Sequence, residues 1–284
     1  MNETQQRIGP VLLAGEHPIK NGIACCLQQS DCAFDLEHVT HIDDGKTYEL
    51  AILVTEENGL VKKSGIEQLE KTLGPAVIIA VNTETIGLDF LQKGAICPDR
   101  IVGLNWTEPA DSTFFMEIIA NETTNPAYAA RLNTIATEVW NKDPYLIHGN
   151  TGVRMRLLGA LLREAFYLIQ NGYAMVEDID RACRNDAGYY LPFAGNLRYM
   201  DLMGTYAYGM VMRDLNPELS TNQILPDFFE KMIAEKAWGM ESGKGFYEYK
   251  NGEAENWRLL LGRFSSEVKE IIKKYPFKYE PTHF

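Results

Sequence analysis

Short apolar runs that never settle into strict alternation set the strongest constraint on this chain. Val11-Leu12-Leu13, Leu50 to Val54, Ala76 to Val81, Ile101 to Leu104 and Phe114 to Ile119 are runs of this kind. A strand with one wet face alternates apolar and polar residues. An uninterrupted apolar run suits a strand covered on both faces, as in a parallel sheet. Between the runs lie helical stretches, Ile19 to Gln29 and an amphipathic Leu60 to Leu73 whose apolar side is Leu60, Ile66, Leu69 and Leu73. Alternating strands and helices predict an α/β, doubly wound, mainly parallel sheet.

The pattern changes near Tyr145 to Thr151. Beyond it the spacing predicts helices over Arg156–Asn171, Val176–Arg184, Leu197–Arg213, Asp227–Lys236 and Trp257–Lys274, with Gly172 as a stop after the first. The expected organisation is therefore an α/β domain over 1–149 and an all-α domain over 150–284.

Charge and cysteine usage narrow the function. A formal charge of -12 argues against nucleic-acid binding, which relies on Lys and Arg meeting phosphates. No apolar run approaches a membrane span, and the Met1–Arg7 segment lacks a signal-peptide pattern. The 5 cysteines form no C-x-x-C pair, so reduced thiols in a cytoplasm are expected. His41, His148 and His283 lack a ligand-spaced partner, so no metal site is expected. Tyr189-Tyr190 and Tyr206/Tyr208 read as core or interface rather than as pocket lining.

Five stretches carry a resemblance. They are Ile79-Ala80-Val81-Asn82-Thr83-Glu84-Thr85-Ile86, Gly103-Leu104-Asn105-Trp106-Thr107-Glu108-Pro109 with the strand after it, Arg156 to Ala165, Asp201-Leu202-Met203-Gly204, and Trp238 to Tyr249 with Gly243-Lys244-Gly245-Phe246-Tyr247. In this order they resemble the 3-hydroxyacyl-CoA dehydrogenase family across most of residues 50–250. The resemblance implies a Rossmann-like domain that binds NAD, followed by a helical domain that commonly forms dimers. It also implies a site in which a histidine base, oriented by a glutamate, takes the hydroxyl proton while a serine and an asparagine place the substrate oxygen.

Carried over by position, the glutamate is Glu117 and is kept. The histidine is Asn105, the serine is Glu84 and the asparagine is Met155. An amide does not take up a proton near neutral pH. A substitute base would be Glu84, if burial raised its pKa, or a water held by Asn105 and Glu117.

The family's Gly-x-Gly-x-x-Gly turn matches Gly15-Glu16-His17-Pro18-Ile19-Lys20, where only the first glycine remains. Two readings of this turn stand: His17 and Lys20 reach an anion through their side chains, or the segment is an ordinary strand-to-helix turn. The acid expected to hold a ribose is Asp35 counted from Gly15, whereas counting from Gly22 places His38 there. Only Val39 to Glu49 separates the second and third strands, with Asp43-Asp44-Gly45 as a turn. The helices that hold CoA in the family are therefore deleted.

The expected function is a catalytically impaired paralogue that binds a small molecule or a partner and pairs as a homodimer through its helical half. The alternatives are an active NAD-dependent oxidoreductase on a hydroxy substrate and a structural subunit of a complex.

Overall fold

The computed structural model describes residues 8–30, 32–38, 42 and 45–275. The Asp43-Asp44 turn, His41, His283, the Met1–Arg7 segment and the polar tail after 275 lie outside these residues. The chain divides into two units, Met1–Arg156 and Leu157–Phe284, rather than at 149/150.

The first unit is built on a 7-stranded sheet. Its strands are β1 (Val11–Ala14), β2 (Phe34–Glu37), β3 (Leu50–Leu53), β4 (Ile78–Val81), β5 (Ile101–Asn105), β6 (Phe115–Ala120) and β7 (Asp143–His148). They lie in the order β2-β1-β3-β4-β5-β6-β7. Neighbours are parallel except β5 and β6, which are antiparallel. Helices α1 (Lys20–Gln29), α2 (Gly59–Thr72), α3 (Leu88–Gln92) and α4 (Pro126–Glu138) connect the strands.

The lack of alternation has a direct cause. Val11, Leu13, Ile52 and Leu104 enter one core with Ile23, Leu132 and Ile135. Leu12, Ala51, Leu53 and Ile79 enter a second core on the opposite face with Ile66 and Leu69. Successive side chains point to opposite faces, and both faces are covered, so neither parity is polar.

One helix departs from expectation. Leu60 of α2 is exposed, while Lys62 is fully buried. The inward stripe is Lys62, Ile66 and Leu69, a charged residue standing where Leu60 was expected. Asn58 caps this helix by accepting from the amides of Leu60 and Val61 at 3.0 and 3.3 Å.

The second unit contains α5, which begins at Arg154 and runs to Gln170, α6 (Val176–Ala182), α7 (Gly188–Met203), α8 (Thr205–Leu215), α9 (Asp227–Ala234) and α10 (Glu253–Lys274). The single helix expected over Leu197–Arg213 is two helices, because Gly204 takes a φ of 104° and ends α7. Tyr190 stacks on Tyr199 at 4.0 Å, while Tyr189 and Tyr206 are exposed. Phe166, Phe229, Trp238 and Phe246 help line an apolar cavity of about 620 Å³ within this unit. Among the described residues no helix is long and apolar enough to cross a membrane, and no cluster of ligating side chains could hold a metal.

Candidate functional site

Asn105 and Glu117 stand directly opposite each other on β5 and β6. Two residues along the same pair, Gly103 faces Ile119, and a Cβ on Gly103 would come within 2.8 Å of the isoleucine Cβ. The strands are thus drawn close where the site begins. Both Asn105 and Glu117 are fully buried.

The Glu117 carboxylate is closed in by four donors. Asn105 Nδ2 reaches Oε2 at 3.0 Å, and the Tyr145 hydroxyl and the amides of Val153 and Arg154 reach Oε1 at 3.0, 2.9 and 2.8 Å. The backbone of Gly152 lies against the carboxylate so tightly that no Cβ fits there. Charge-assisted bonds of this kind make burial of a carboxylate tolerable. Burial, with the Glu117 charge second, pushes the Tyr145 phenol well above its usual range, so it stays a neutral donor.

The rest of the Asn105 amide is also committed. Nδ2 donates to Thr83 O and Oδ1 accepts from Thr83 N, both at 2.7 Å. One strand over, Asn82 does the same thing, accepting from Thr55 N at 3.0 Å and donating to Thr55 O at 2.9 Å. Each asparagine sits at or just past a strand's carboxyl end. Each uses its side-chain amide as one further rung on the neighbouring chain, where backbone pairing has run out. Asn105 is therefore a structural splice that also grips Glu117, and every hydrogen it carries is used.

Glu84 and Met155 are brought to the same place through Arg154. The guanidinium Nη1 lies 3.2 Å from both Glu84 oxygens and 3.4 Å from Met155 Sδ, and the group sits 5.6 Å from the Phe115 ring centroid. Burial, reinforced by the charges of Glu117 and Glu57, raises the Glu84 carboxyl, while Arg154 pulls it back down. Glu84, paired with Arg154, and Met155 thus stand where the resemblance implies the two alcohol-handling groups.

The strand order reverses at β1, whose neighbours are β2 and β3. In open α/β sheets the crevice at the carboxyl ends of such strands is where ligands bind. Gly15, with a φ of 94°, packs against the Val54 carbonyl, so a tight turn survives there. Lys20 Nζ donates to Gly15 O at 2.9 Å and to Glu37 O at 3.2 Å, spanning the ends of β1 and β2. His17 Nδ1 accepts from Ile19 N at 3.2 Å. Burial, and then the Lys62 charge, lower the His17 pKa, so its imidazole is neutral.

Asp35 does not reach this crevice. It lies mid-strand opposite Leu12 and holds Lys46 and the Tyr48 hydroxyl, each at 2.9 Å. The carboxylate at the end of β2 is Glu37.

Two residues that the sequence did not single out complete the site. Glu57 Oε1 accepts from the amides of Glu84, Thr85 and Ile86 at 3.0, 2.7 and 3.0 Å. Its Oε2 lies 3.2 Å from Lys62 Nζ, which also donates to Asn82 Oδ1 at 3.0 Å. Burial alone would raise Glu57, but the amides of Thr85 and Ile86 and the Lys62 charge outweigh it and hold its carboxyl low. Burial in turn lowers the Lys62 pKa. The available signal was Lys62 itself, four residues before Ile66 and seven before Leu69 on a face otherwise apolar.

A dinucleotide held on a Gly-x-Gly-x-x-Gly turn needs bare backbone at the second and third glycines. Here those places carry His17 and Lys20, and both side chains are folded back onto the turn. The residues present do not fit NAD bound in that manner.

Residues 20–150 match the family model described as 3-hydroxyacyl-CoA dehydrogenase, NAD binding domain, and residues 153–249 match the C-terminal domain of the same enzyme. A relative from Mesorhizobium japonicum, 5-formyl-3-hydroxy-2-methylpyridine 4-carboxylate 5-dehydrogenase, is 30% identical over 227 residues, covering 79% of this chain and 73% of that protein. The fatty acid oxidation complex subunit alpha of Shewanella frigidimarina is 25% identical over 255 residues, covering 82% of this chain but 34% of its own length. A crystal structure of a 5-formyl-3-hydroxy-2-methylpyridine 4-carboxylic acid 5-dehydrogenase, described as an NAD+ dependent dismutase, has the same fold. Its TM-score is 0.88 at 22% identity, over 94% of this chain and 99% of that one.

Proposed function

Because the chain belongs to the 3-hydroxyacyl-CoA dehydrogenase family, we propose that it is a catalytically impaired paralogue, keeping the family's frame to bind a small ligand or a partner. One observation carries this reading: the Asn105 amide is spent on Thr83 and Glu117 and has no basic atom to offer a substrate. Losing a general base alone costs about 10²–10⁴ in rate. Glu84, held by Arg154, and Met155 stand in place of the groups that would position the reacting oxygen, although such losses do not add simply. The test is reduction of acetoacetyl-CoA by NADH with the purified protein. Turnover is expected at background, and a kcat near the roughly 10 s⁻¹ of ordinary enzymes would overturn the proposal.

A second reading, an active NAD-dependent oxidoreductase, is favoured by the dehydrogenase from Mesorhizobium japonicum and by the upward shift of Glu84. A raised carboxyl is the right direction for a base working near neutral pH. Arg154 opposes this role by holding both Glu84 oxygens. NADH- or NAD-dependent conversion of a hydroxy acid or aldehyde that is lost in Glu84→Gln would favour this second reading.

The same proposal includes a homodimer formed through the helical half. Leu157, Leu161, Leu197, Trp257, Leu260 and Phe264 are exposed in the single chain and support it, since burying large apolar side chains favours association. A monomer by light scattering at micromolar concentration would count against it.

A further inference from the structure

The crevice at the ends of β1 to β4 is filled by the chain itself. A dinucleotide bound at such a switch point needs backbone donors at the first turn, access to the end of the second strand, and a charge field that accepts pyrophosphate. Each of these is already taken. The amide of Ile19, in the turn where phosphate would approach, is used by His17 Nδ1. The gap between the ends of β1 and β2 is bridged by the Lys20 ammonium on Gly15 O and Glu37 O. After β4, three successive amides that would suit an anion close on Glu57.

Charge points the same way. Each of the five parallel strands delivers a glutamate at its carboxyl end or just beyond: Glu16 after β1, Glu37 at the end of β2, Glu56 and Glu57 after β3, Glu84 after β4 and Glu108 after β5. The cations among them are already engaged, Lys20 on carbonyl oxygens and Lys62 on Glu57 and Asn82. Glu57 and Glu84 are paired with Lys62 and Arg154, so pyrophosphate entering here would meet the remaining Glu16, Glu37, Glu56 and Glu108, with the Lys20 ammonium as the one cation not held by a carboxylate among those named.

We propose that this crevice is closed to NAD(H) by the chain's own side chains, His17, Lys20 and Glu57 standing in for the contacts a dinucleotide would make. Two of these, His17 and Lys20, occupy positions where the family pattern places glycine, so the closure is written into the turn and is reversible by substitution. The inference rests on the family assignment, which locates the dinucleotide site, and is independent of the lost base.

The test is a calorimetric titration of NADH into the full chain and into His17→Gly/Lys20→Gly. The natural chain is expected to bind nothing up to about millimolar NADH, and the double variant to gain affinity at least about tenfold. Lys20→Ala keeps a good helix former at the start of α1 and serves if the double variant fails to fold, with a gain of about threefold expected. Micromolar binding by the natural chain overturns the proposal, and so does a folded double variant that binds no better. Acetoacetyl-CoA turnover separates the two readings. Binding without turnover overturns the closure alone, while binding with turnover overturns the impaired-paralogue reading as well.

Discussion

The two units bury their apolar residues in opposite ways. In the sheet unit the apolar residues of β1, β3, β4 and β5 are all buried, sharing two cores. In the helical unit the buried apolar residues among those described are Ala165, Ala194 and Ala254. Larger side chains stand outside, including Leu157, Leu158, Leu161 and Leu162 on α5 and Trp257, Leu259, Leu260, Leu261 and Phe264 on α10. A sheet with helices on both faces is a closed solution to burial, whereas a single array of amphipathic helices presents its stripe to whatever comes next. The sheet unit therefore encloses its apolar residues, whereas the helical unit leaves large apolar side chains at its surface.

Breaking the sheet unit from inside is expected to have the largest effect. Glu117→Ala would leave four donors, the buried Asn105 amide, the partly buried Tyr145 hydroxyl and the Val153 and Arg154 amides, without their acceptor, a change expected to cost about 2–4 kcal/mol. Urea unfolding measures it, and a loss under 1 kcal/mol would show that the carboxylate is dispensable. Glu117→Gln keeps one acceptor oxygen and should cost less.

The helical unit should respond in a different observable. Leu157→Glu with Leu161→Glu places two charges one turn apart on an exposed apolar stripe of α5. Self-association is expected to weaken by about a hundredfold, with the unfolding of the sheet unit unchanged. An unaltered sedimentation profile would move the interface elsewhere.

Asn105→His sharpens the contrast between frame and chemistry. An imidazole cannot both accept from Thr83 N and donate to Thr83 O as the amide does, so a stability loss of about 1–3 kcal/mol is expected. No appreciable activity should appear, because Glu84, Met155 and the His17–Lys20 turn remain as they are. Turnover of acetoacetyl-CoA by this single variant would mean the surrounding site is intact.

The smallest effect is one of pH. The folded carboxyl of Glu57 is held below its unfolded value. Its contribution is therefore complete above about pH 4.3 and is lost as pH falls through the folded value. Glu57→Gln should flatten the stability profile in that acid window and lower it by a pH-independent amount at pH 7–8, where the contribution is complete. A profile identical to that of the natural chain would exclude Glu57 from the acid response.

Most of the sheet was legible because β1, β3, β4, β5 and β6 are central strands whose residues, Asn105 and Glu117 apart, are apolar or small. The edge strands were not. Phe34-Asp35-Leu36-Glu37 and Asp143 to His148 each have a partner on one side only and expose part of their length, so their composition resembles that of loops. Helix α4 was missed although Asn125 caps it and Pro126 opens it. The positions of Asn105, Glu117, Glu84 and Met155 followed from the resemblance, but their engagement did not. That Asn105 is a splice, that Glu84 is held by Arg154, and that Glu57 reaches the amides after β4 are facts of three-dimensional aim. Sequence spacing carries no record of aim.

The enclosure of Glu117 has a consequence for how chains of this type are read. With four donors trained on it, that buried carboxylate cannot be removed without unsettling the fold. The fold needs this glutamate whether or not the site turns over, so its presence does not by itself report on chemistry. The informative letter is its neighbour across the strand pair, Asn105, which decides whether the carboxylate faces an amide or a base.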